Sequence, residues 1–138
     1  MGGLNHKVTS SRQLAWRDLI NRITIKENKL ANLSMIFAIN SLELSNDIQG
    51  HYSLKQQFER SSTSIGANIR EANCAQSEPD FINKLQIALK ECYETEYLLE
   101  LFIKVNILTS EKTKSLLHDC GEIRRILVSS ITTLKNKQ

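Results

Sequence analysis

Nine consecutive residues, Ser61-Ser-Thr-Ser-Ile-Gly-Ala-Asn-Ile69, carry no charge and are bracketed by Glu59-Arg60 and Arg70-Glu71. At a helical repeat of about 100° per residue, Phe58, Ile65 and Ile69 share one side, with Leu54 before and Ala72 after. The opposite side holds Thr63, Ala67 and Cys74, with Ser64 and Gly66 at its flanks. A helix with its back to water would place Lys and Glu there. Small neutral residues in that position require packing on two sides, against a bundle core on one and a close neighbour on the other.

The rest of the chain supports helices throughout. One proline, Pro79, and five glycines among 138 residues are too few punctuators for a turn-rich β fold. The length suits one domain with a single core. A first helix is expected from about Glu27 to Ile48, with Leu30, Leu33, Phe37, Leu44 and Ile48 as its core stripe and Ile36 and Ile39 widening it. Gly50 is placed to end it. A second runs from about Ser53 to Cys74. Ser77 is an N-cap for a third, with Pro79 in its first turn, that continues to about Lys104. Thr109 or Ser110 caps a fourth that reaches about Asn136. Short connections between long helices predict an all-α, antiparallel up-down-up-down four-helix bundle.

Residues 1–25 are less periodic. Trp16, Leu19, Ile20 and Ile23 are spaced for a short amphipathic helix that docks on the bundle or on a partner. The chain therefore divides into a basic N-terminal extension, residues 1–25, disordered or a short helix, and a bundle over residues 26–138. Charge follows the same division. The net charge is +3, but residues 1–30 alone hold six Lys/Arg against two acids, and the remainder is −1. A basic arm can reach phosphate, or it can be a solvated leader. No uncharged run is long enough for a membrane span and no signal peptide is visible, so a soluble cytoplasmic protein is expected. Cys74, Cys92 and Cys120 share no metal-ligand spacing and read as small core residues kept reduced.

Catalytic chemistry has little footing. His118-Asp119-Cys120 has the residue types of a nucleophilic site, but adjacent helical positions point about 100° apart and cannot form a relay. There is no Glu-x-x-His motif, no P-loop and no Gly-x-Ser-x-Gly. No catalytic, cofactor-binding or metal-binding residue is therefore expected. Glu91, Glu94, Glu96 and Glu100 read as a solvated acidic edge that pairs with Lys or Arg of other helices. Glu96 and Asn68 lie at the margins of their stripes, so each needs a partner; Asn68 can find one in Glu96 or in a backbone group. The basic residues of the body, Arg60, Arg70, Lys84, Lys90, Arg124 and Arg125, form a thin patch on one copy of the chain. Repeated around a ring, they would form a stripe able to track a phosphate backbone. No aromatic residues interleave with them, so any such binding is electrostatic and led by shape.

Ser64-Ile-Gly-Ala-Asn-Ile-Arg-Glu-Ala72 resembles the Ser-Ile-x-Ala-Asn-Ile-x-Glu-(Gly/Ala) signature of the bacterial four helix bundle family. That family includes proteins encoded by intervening sequences within large-subunit ribosomal RNA genes. Phe81-Ile-x-Lys-Leu-x-Ile-Ala-Leu-Lys-Glu91 and Glu94-Thr-Glu-Tyr-x-Leu-Glu-Leu101 look like the family's third helix, and the likeness covers about Lys26 to Lys135. The resemblance implies a four-helix bundle that assembles into a ring-like homopentamer. Relatives include the accessory variability determinant of diversity-generating retroelements, which has a basic surface and binds nucleic acid. Gly66 stands where one branch of the family has proline, which favours a straighter, closer-packed helix. On this reading Thr63, Ser64, Gly66, Ala67, Asn68, Glu71, Tyr97 and Leu101 belong to an oligomer interface or to the structural motif. The expected function is a non-enzymatic homo-oligomer that binds RNA or DNA through a basic surface formed on assembly. The alternative is a scaffold for a protein partner such as a reverse transcriptase or a ribosome-associated factor.

Overall fold

The computed structural model describes residues 29–137. Its described residues form four helices and no strand, the content of a four-helix bundle. We label them α1 (described over 29–45), α2 (Tyr52–Asn73), α3 (Glu78–Lys104) and α4 (Ser110–Asn136). The N-terminal extension lies outside the described residues.

Local chemistry explains the breaks. At the end of α1 the amides of Asn46, Asp47 and Ile48 bond to carbonyls three residues back, which tightens the last turn. Gly50 and His51 then adopt left-handed conformations, at φ 70° and 49°, and reverse the chain. Gly50 is suited to this because it has no Cβ. Ser77 caps α3, its side chain accepting from the Asp80 amide at 3.2 Å, with Pro79 in the first turn. At the other end of α3, Asn106 is left-handed (φ 61°). The Asn106 amide bonds to Ile103 and the Ile107 amide to Phe102, the paired closure of a Schellman motif. Thr109 caps α4, accepting from the Lys112 amide.

Each helix has two flanking neighbours. α1 meets α2 where Ser45 donates to Glu59 at 2.9 Å. It meets α4 through Lys29–Glu122 and Lys112–Asp47, at 3.9 and 3.4 Å. α3 meets α2 through Lys84–Glu71 at 3.2 Å and α4 through Arg124–Glu96 at 2.8 Å. α1 and α3 therefore occupy opposite corners. The core between the helices holds Leu30, Phe37, Phe58, Ile65, Ile69, Leu85, Leu99, Phe102, Ile123 and Leu127, all fully buried. Phe58 and Phe102 meet edge to face, 5.8 Å between centroids.

Two expectations change. Ile36 and Ile39 do not widen the core stripe; they are 53% and 50% exposed, on the outer side of α1. That helix carries apolar residues on two sides, so apolar spacing alone does not identify the buried one. Cys92 and Cys120 are buried, but Cys74 is exposed, one residue past the end of α2. The core also holds buried hydroxyls. Those of Ser61 and Thr95 lie 2.9 Å apart across α2 and α3, while Ser41 and Ser130 have no hydrogen-bond partner among the described residues.

Candidate functional site

The uncharged stretch of α2 buries Ile65 and Ile69 in the core and meets α1 of the same chain at Gly66, while Ala67 on the opposite side is exposed. A Cβ on Gly66 would lie 3.1 Å from Ser34 Oγ and 3.4 Å from Ser34 Cβ. Glycine is thus what lets α1 approach α2 this closely. The other residues of the signature are also engaged locally. Asn68 donates its side-chain amide to the Ser64 carbonyl at 2.8 Å, one turn back. It does not reach Glu96, which instead accepts from Arg124. Glu71 pairs with Lys84 of α3. Thr63 donates to backbone carbonyls of its own helix.

Outside the Ser34–Gly66 contact, α1 and α2 diverge into a groove of about 490 Å³. Ala31, Met35 and Ala38 line it from α1, and Thr63, Ala67 and Arg70 from α2. Sequence reasoning missed this groove. The signal was the set of small residues at 31, 38, 63 and 67, of which only Thr63 and Ala67 were read, as a face closed by a neighbour. Farther along α1, Ile39 and Leu42 stay half exposed next to the acids Glu43 and Glu59. On the opposite corner, α3 presents Tyr97, 62% exposed, beside the half-buried Leu101.

The six basic candidates separate into two groups. Arg60 bridges Glu91, at 3.2 Å, and Glu94. Lys84 and Arg124 are held by Glu71 and Glu96. Arg70, Lys90 and Arg125 are exposed, and no acid pairs with them among the described residues. They lie on three different helices, α2, α3 and α4. Arg124 also sits over the Tyr93 ring, 5.8 Å from its centroid, so an aromatic residue does stand beside one of the basic side chains. The acidic edge of α3 is not uniform. Burial raises the Glu91 carboxyl above its ordinary pKa, and Arg60 opposes that shift.

Among the described residues, groups with reactive chemistry do not assemble around a cavity. The Cys120 thiol lies 3.5 Å from the Cys92 carbonyl. A side-chain hydrogen bond with Cys92 and burial hold it well above its ordinary pKa, so it stays protonated and inert. His118, Asp119 and Glu122 bring one ligand atom each within 4.8 Å of one another on the outer side of α4. His118 is exposed there, and Glu122 is shared with Lys29. No described helix is long and apolar enough to cross a membrane.

Comparison with known proteins places these features in context. A family described as 23S rRNA-intervening sequence protein matches residues 26–129. A solved structure, of a protein of unknown function from the S23 ribosomal protein family of Bacteroides thetaiotaomicron VPI-5482, is 45% identical in sequence. The likeness covers 78% of this chain and 98% of that one, with a TM-score of 0.72. No curated protein matches. With the signature Ser64–Ala72 inside the matched region and the fold shared, the chain belongs to the 23S rRNA-intervening sequence protein family.

Proposed function

We propose that this chain is a non-enzymatic, homo-oligomeric bundle of antiparallel up-down-up-down helices that binds RNA or DNA through a basic surface formed on assembly. The observation that carries the assembly is a pair of exposed apolar surfaces on opposite corners of the bundle. Ile36 and Ile39 of α1 form one, and Tyr97 and Leu101 of α3 form the other. Contacts that bury one surface against the other are head-to-tail, and such contacts close into rings when the rotation permits. The homopentamer implied by the family resemblance is one such ring. Pairs such as Arg60–Glu91 and Glu71–Lys84, whose residue numbers run in opposite directions along α2 and α3, support the antiparallel order.

Nucleic acid is the favoured ligand because Arg70, Lys90 and Arg125 remain unneutralised and a ring multiplies them. The basic residues before position 30 bring further positive charge to the chain. Arg60, Lys84 and Arg124 are already occupied by carboxylates and contribute less. The family's name refers to intervening sequences of 23S rRNA, which is compatible with an RNA ligand and does not assign one. The second reading, a scaffold for a protein partner, draws on the net charge of −1 over the body.

Filter binding to a structured RNA at two salt concentrations separates the two readings. The expected result is retention at low salt that falls as salt rises. Arg70→Ala, Lys90→Ala and Arg125→Ala should each weaken retention and lower the log–log salt slope by about 1 per lost contact. No retention at low salt would leave the scaffold reading.

A further inference from the structure

The outer side of α4 carries three metal-ligating side chains on neighbouring turns. We propose that His118, Asp119 and Glu122 bind Zn2+ or a similar divalent transition-metal ion, with water in its remaining positions.

One ligand atom from each of the three residues lies within 4.8 Å of the other two. Around an ion with bonds of about 2.1 Å, tetrahedral ligands stand about 3.4 Å apart. Rotation about side-chain bonds closes that difference without moving the helix. His118 and Glu122 are spaced i and i+4, and Asp119 and Glu122 i and i+3, which puts each pair on neighbouring turns of one face. The backbone beneath them is fixed by the core. Cys120 and Ile123 are fully buried, and Gly121 is buried beside them. Ligands on a helix anchored in this way are held more precisely than ligands on a loop.

The donor set selects the ion. Carboxylates alone would offer only hard oxygen donors. The His118 imidazole adds a nitrogen, which suits Zn2+, Co2+ and Ni2+ better than Ca2+ or Mg2+. No thiolate joins the set, because Cys120 turns inward to the Cys92 carbonyl. Charge favours a cation as well. Asp119 and Glu122 place two negative groups side by side. Glu122 is shared with Lys29 at 3.9 Å, and most of the Lys29 side chain is exposed. Asp119 is half-buried, and among the described residues no hydrogen bond or ion pair reaches it. A divalent ion supplies the missing positive charge, and Lys29 competes with it for Glu122.

Isothermal titration calorimetry of the full chain with zinc chloride tests the site. The expected result is one saturable Zn2+ site per subunit that Ca2+ does not occupy. Loss of an outer-shell partner costs a metal site about 10–100-fold in affinity, and loss of a ligand costs no less. His118→Ala and Glu122→Gln should therefore each weaken binding by about tenfold or more. Lys29→Gln should tighten it by up to about fivefold, the most that an exposed ion pair is worth. His118 and Lys29 are exposed, so the bundle tolerates these changes, and circular dichroism checks that it does. Cys74→Ser removes the exposed thiol and should leave the affinity unchanged. Co2+ bound in place of Zn2+ should lack the charge-transfer absorption of a thiolate ligand. An affinity indifferent to His118→Ala, or lost with Cys74→Ser, overturns the proposal, as does a titration without a saturable Zn2+ site. Neither assembly nor nucleic-acid binding is needed for the site, so an RNA filter assay that fails leaves the calorimetric result standing.

Discussion

Gly66 sets the distance between α1 and α2. An added methyl would press on the Ser34 hydroxyl at 3.1 Å, which is held on the Ala31 carbonyl but can rotate away. A longer side chain has no such relief and must separate the helices. Gly66→Leu should therefore cost about 1–3 kcal/mol, the range for an overpacked contact, read as a lower urea midpoint. Glu91 gives a prediction in pH. Burial raises its pKa in the folded chain, so the folded state holds the proton more readily than the unfolded state. Stability from this group falls as pH rises from the ordinary carboxylate value through the raised one. Arg60 pulls against the shift, so Arg60→Gln should extend the fall to higher pH and Glu91→Gln should remove it, both read from urea midpoints across the acidic range. The sequence showed that the acids of α3 needed cations. It did not show which ones, because pairing depends on the register of α3 against α2, and no single helix encodes that.

Among the elements, α3 was the most legible. Ser77, Pro79 and Asp80 specify its start through local bonds, and local bonds are what a sequence states most directly. Ser77→Ala removes the acceptor for the Asp80 amide and should cost about 1 kcal/mol, measured by thermal or urea unfolding. The far end of α3 closes on Asn106 in a left-handed conformation, a role usually filled by glycine and sometimes by asparagine. α1 was read less well. Its apolar residues occupy both the core side and the outer side, and periodicity counts them without saying which side is buried. The assignment of Ile36 and Ile39 to the core failed for that reason. α2 raised the reverse problem. Its small residues signalled a close neighbour, which at Gly66 is α1 of the same chain, while Ala67 on the same side stays exposed.

For the whole molecule, the all-helical class and the number of long helices were legible, since both follow from spacing and punctuation. The groove was not, because it arises from how two helices diverge. The assembly proposed above predicts that Ile39→Glu combined with Tyr97→Glu will yield single subunits of unchanged helicity, with light scattering as the measure. An unchanged assembly would remove those surfaces from the interface. The exposed apolar residues on opposite corners also make protein concentration a thermodynamic variable. If association buries them only in the folded state, mass action adds to the stability of that state as concentration rises. The melting temperature of the parent chain should then climb with concentration, and that of the doubly charged variant should stay flat. On those terms, part of what keeps each bundle folded is supplied by the other copies around it.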